Sequence, residues 1–138
     1  MTISHMDEKK IKHLEMIQGV VNRMSHISFL LKGWSVVLVS ALFALSAKDS
    51  NVQFVLLAYF PALIFWFLDG YFLWQERLYR RLYDRARLVD ESEVDFSMST
   101  QEVRCATSLW TEVVFSKTLV VFHGVICFTI LIVMLFSL

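Results

Sequence analysis

The sequence predicts an all-α integral membrane fold, with three transmembrane helices extended on the cytoplasmic side by amphipathic helices. Three observations carry that prediction. Of the 138 residues, 57% are hydrophobic, and the mean hydropathy of +0.56 exceeds that of an ordinary soluble domain. Three apolar stretches, residues 28–47, 52–73 and 113–138, match the roughly 20 helical residues needed to cross a bilayer. The segments beside them keep a helical apolar period where loops would lose it. The whole chain, 1–138, is expected to form one membrane domain.

The opening MTISHMDEKK puts acids and polar residues where a leader peptide needs a basic start and an apolar run, so no cleaved leader is expected. From residue 9 to 27, Leu14, Ile17, Val21 and Met24 recur at spacings of three and four, with Ile11, Val20 and Ile27 widening the stripe. Only Gly19 interrupts the approach to the first span. The expectation is one continuous helix of roughly 38 residues, about 57 Å long. Half of it would project beyond the bilayer.

AKDSN separates spans one and two, and Asp49, Ser50 and Asn51 are turn formers, so the two spans should form an antiparallel hairpin. Span one is rich in small residues (Gly33, Ser35, Ser40, Ala41, Ala44, Ser46). Span two is rich in large ones (Phe60, Phe65, Trp66, Phe67, Tyr71), a complementary pairing. Pro61 should kink span two or free a carbonyl. After this span, residues 74–89 place Trp74, Leu78, Leu82 and Val89 on one helical face. VDESEVDFSMST then breaks the pattern as an internal turn. Ser99 and Glu102 have capping-box spacing, so the third helix is expected to begin near Thr100. Its first part, 100–112, would carry Val103, Ala106, Leu109 and Trp110 on one face before entering the membrane as the third span.

Orientation follows from Lys and Arg placement. Lys48 alone falls in the turn between spans one and two, and the other basic residues lie before span one, after span two or near the inner ends of the spans. The N-terminus is therefore expected in the cytoplasm and the C-terminus outside, in a bacterial inner membrane.

Lys32, Asp69 and Lys117 each lie near the inner end of a span and could meet in one layer. A charge at that depth costs a few kcal/mol unless it is paired or reached by water. Such a layer could fix helix register, ring an aqueous path in an oligomer or relay protons. His123 stands deeper, near the middle of span three, where an interhelical hydrogen bond is the expected role and metal ligation is not. Arg77, Arg80, Arg81, Arg85 and Arg87 crowd the inner leaflet. They suit anionic lipid or a phosphate-bearing signal, with Tyr79 and Tyr83 spaced to stack on a base.

Lys and Arg number 13, as do Asp and Glu. Nothing therefore draws the chain to nucleic acid. Cys105 and Cys127 form no CxxC motif. No Walker, HExxH or Ser–His–Asp pattern stands out, so neither enzymatic activity, a metal nor a cofactor is expected.

VVNRMSHISFLLKGWSVVLVSALFAL and FPALIFWFLDGYFLWQERLYRRLYD, with NRM, LLKGW and LDGYFLWQE as their distinctive elements, resemble a family of small bacterial helical membrane proteins. The resemblance covers roughly residues 15 to 90. It extends to the membrane partners found beside TIR-like genes in phage-defence loci, and it implies a membrane-disrupting effector. The function expected is that of an oligomeric, channel-like effector. The alternative is a non-conducting anchor that docks a cytoplasmic partner.

Overall fold

The computed structural model of the chain describes residues 5–49 and 51–137. Ser50, one of the expected turn formers, and Leu138, the expected end of span three, lie outside the described residues. Helix α1 runs without a break from His5 to Asp49, 45 residues and about 67 Å. After the turn come α2 (Gln53–Leu57) and α3 (Tyr59–Ala86), a 3-10 turn (Glu91–Glu93), α4 (Gln101–Arg104), α5 (Trp110–Val114) and α6 (Lys117–Ser137). No strand occurs among the described residues. Three helical segments are long and apolar enough to cross a membrane: Glu8–Asp49, Gln53–Ala86 and Lys117–Phe136.

The α1–α3 hairpin is the spine of the fold. Along α1, His13, Ile17, Val21, Ser28, Ser35, Val39 and Ser46 are buried, and they recur in steps of four and seven. Val55, Ala62, Asp69 and Glu76 repeat every seven residues on the facing segment. Such spacing keeps one face of each helix against its neighbour along its whole length. Two apolar clusters bracket a polar middle. At one end Val39, Val55, Ala58, Ala62 and Ile130 pack together. At the other, Ile17, Leu82, Ala86 and Val103 do so, with Leu14, Tyr79 and Tyr83 around them. Tyr79 and Tyr83 are half-buried against this cluster. Ile11, expected in the stripe of α1, is 56% exposed.

The hairpin turn is closed locally. Ser46 Oγ donates to the Asn51 carbonyl at 3.0 Å, and Asn51 Oδ1 accepts from the Gln53 N–H at 2.9 Å. Pro61 has its expected effect nearby. Its ring displaces the carbonyl four residues back, and the helix divides at Ala58, between α2 and α3.

The third membrane helix differs from expectation. It does not run unbroken from Thr100, and the Ser99–Glu102 capping box does not form: α4 has no side-chain cap, and Glu102 pairs with Arg85 at 2.6 Å. The chain breaks twice. At the first break, Thr107 Oγ1 donates back to the Val103 carbonyl at 2.9 Å and Trp74 Nε1 donates to the Ser108 carbonyl at 3.1 Å. Leu109 is extended, with its N–H held by Glu112 at 3.2 Å. At the second, after α5, Trp66 Nε1 donates to the Val114 carbonyl at 3.0 Å. Tertiary indole donors therefore capture carbonyls that a continuous helix would have used. Of the expected face on 100–112, only Val103 is buried, whereas Ala106, Leu109 and Trp110 are exposed.

A close approach fixes α3 against α5. A Cβ placed on Gly70 would stand 2.5 Å from Val114 Cγ2 and 3.3 Å from its Cα. No larger residue leaves the two backbones at this separation.

Candidate functional site

Asp69 is the centre of the polar middle, and its relative exposure is 0%. Three helices converge on its carboxylate. Helix α1 presents Ser28 and Lys32, one turn apart and so on one face. The hydroxyl of Ser28 donates to Asp69 Oδ1, and Lys32 Nζ lies 2.5 Å from Oδ2. Lys32 also donates to Ser28 Oγ at 2.9 Å. Helix α6 contributes His123, whose Nε2 is 3.0 Å from Oδ2.

Because the carboxylate can only accept, Nε2 carries the imidazole proton when His123 is neutral, and Nδ1 is left as an acceptor. That Nδ1 is buried and has no hydrogen-bond partner. The imidazole lies parallel to the Trp66 indole, with centroids 5.8 Å apart and planes 8° apart. Phe122 meets it edge-on at 5.1 Å and also lies 5.9 Å under the Lys32 ammonium. One cation and one anion cancel, and both carboxylate oxygens are engaged.

The connectivity bears on chemistry. Nucleophilic catalysis needs an imidazole between hydroxyl and acid, so that the base can take the hydroxyl proton. Here the acid stands between Ser28 and His123, and the Ser28 proton points at a carboxylate. No group of three or more His, Cys, Asp or Glu side chains is placed to hold a metal among the described residues. The arrangement suits a register lock between helices.

The structure joins Lys32 and Asp69 and leaves out Lys117. Helix α6 starts at Lys117, just past the second break, so this residue is exposed and lies about 9 Å along the axis from His123. His123 occupies the place expected for Lys117 and shares the layer of Asp69, where the sequence suggested a greater depth. Ser28 and Trp66 were not anticipated as parts of the site. The available signal was spacing: Ser28 stands one turn before Lys32, and Trp66 one turn before Asp69.

The arginines divide among surroundings: Arg77, Arg80 and Arg81 line one groove, and Arg85 and Arg87 lie outside it. Arg80 Nε donates to Glu76 at 2.7 Å, Arg85 pairs with Glu102 at 2.6 Å, and Arg87 faces Asp84 at 3.7 Å. Arg77 and Arg81 line a groove of about 250 Å³ against Thr107 and Ser108. No family model matches the chain, nor does any curated protein or solved structure.

Proposed function

We propose that this chain is a non-conducting membrane anchor, cytoplasmic at its N-terminus, whose projecting helical end docks a cytoplasmic protein partner. One observation carries the reading: Asp69 is fully buried within the chain, and Ser28, Lys32 and His123 engage both of its oxygens. A carboxylate buried and engaged at both oxygens in this way is a poor lining for an ion path. The ends of α1 and α3 beyond the layer support the docking role, since Ile17, Leu82, Ala86 and Val103 give them a core of their own.

A second reading, an oligomeric membrane effector of antiphage defence, is favoured by Lys32. Its side chain is 22% exposed, and an open, mainly apolar cleft with Ser40 and Thr129 as its polar lining lies between α1 and α6. In a homo-oligomer such an edge could border water. Membrane potential in cells overexpressing the chain, with and without stimulation of a co-expressed partner, separates the two. The anchor reading expects no change in potential. Depolarisation by the wild type, altered by Asp69→Ala in protein that remains folded, would replace it with the effector reading.

A further inference from the structure

We propose that Arg77 and Arg81, with the cleft at the α4–α5 break, form a binding site for an anionic phospholipid of the inner leaflet. Two grooves meet there. The first, about 250 Å³, has Arg77, Arg80 and Arg81 on the α3 wall. The second, about 320 Å³, has Trp74, Leu109 and Trp110 as its apolar lining, with Arg104 and Thr111 beside them. Thr107 and Ser108 border both. A basic compartment therefore runs into an apolar one, which is the order of chemistry along a phospholipid.

The charges leave room for a phosphodiester. Arg80 is held by Glu76. Asp84, the acid on the basic wall, is turned to Arg87. Arg77 and Arg81, one turn apart, have no ion-pair partner among the described residues. Their guanidinium forks match phosphate oxygens. Arg104 adds a further positive charge at the second groove, 5.3 Å over the Trp74 ring. The level is also right. Trp74 directly follows the apolar run of α3, and indoles favour the membrane–water boundary. Leu109, 67% exposed, offers apolar surface beside the second groove. A free phosphate would use only the arginines and leave this compartment unfilled, which is why the occupant is a lipid.

The site rests on the membrane reading and its cytoplasmic N-terminus, and holds whether the chain anchors or conducts. The test uses the full chain in neutral detergent, with phosphatidylglycerol, phosphatidylcholine of the same acyl chains, or inorganic phosphate added. Bound lipid is read by native mass spectrometry and stability by thermal unfolding. Phosphatidylglycerol should remain bound and raise the melting temperature, and the other two should not. At about 1 kcal/mol for each basic residue, Arg77→Ala/Arg81→Ala should weaken retention roughly 30-fold. Arg23→Ala, an exposed basic residue of α1 that borders neither groove, should leave it intact. If the double variant does not fold, Arg81→Ala alone carries the comparison, with a smaller loss. Equal binding of phosphatidylcholine, an equal loss in Arg23→Ala, or a shift reproduced by inorganic phosphate overturns the assignment.

Discussion

Replacing Asp69 by alanine removes the acceptor shared by three side chains and leaves the Lys32 ammonium without its counter-charge. The cost can be built from the contacts. The Ser28 and His123 hydrogen bonds are each worth about 0.6 kcal/mol, the average for interhelical bonds in membranes. A lone lysine within a span costs about 3 kcal/mol. The expected loss is about 4 kcal/mol, inside the roughly 3–5 kcal/mol typical of breaking one side of a buried pair. Lys32 is 22% exposed and can turn its amine toward the boundary, which pulls the value to the lower part of that range. Lys32→Met alone strands the carboxylate and should cost a similar amount. The double variant Lys32→Met/Asp69→Leu removes both charges together and should lose only about 1–2 kcal/mol, because paired charges replaced by apolar groups of similar volume are often near neutral. Unfolding in mixed micelles of mild and denaturing detergent gives all three values, and hence the coupling energy. A double variant whose loss equals the sum of the singles within about 0.5 kcal/mol would refute the pairing.

Two further outcomes follow from the geometry and the charge pattern. Gly70→Ala places a methyl 2.5 Å from Val114 Cγ2 and should destabilise by about 1–3 kcal/mol; adding Val114→Ala should recover part of this in the same unfolding assay, and a neutral Gly70→Ala would contradict the close approach. Reporter fusions should read cytoplasmic at the N-terminus and external at the C-terminus; both ends on one side would overturn the three-span topology.

The helical class and the α1–α3 hairpin were legible because their signals are local: apolar length, a 3.6-residue period and a turn of Asp and Asn. Lys32 and Asp69 could be matched because a hairpin with a short turn fixes which depths face each other. The third helix was harder. Neither Gly nor Pro marks its breaks, which depend on Trp66 and Trp74 reaching across from α3 to hold backbone carbonyls at Val114 and Ser108. Without those breaks, the phase of α6 cannot be counted from Thr100. Lys117 was expected in the layer because span three was placed from residue 113, whereas α6 begins only at Lys117. The arginines crowd together in sequence, yet 100° of rotation per residue sends Arg85 to Glu102 and Arg87 to Asp84.

The unbroken α1 and the twice-broken third segment give the two sides of the molecule unlike mechanics. A 45-residue helix with His13, Ser28 and Ser46 on one seam links the His13 end to Ser28 and Lys32 through unbroken backbone, with no joint between them. The segment from α4 to α6 behaves as an arm with two elbows, each pinned by a single indole. A load on α4 is spent at those elbows before it reaches His123. The Asp69 layer is therefore stiffly tied to one side of the projecting end and loosely to the other.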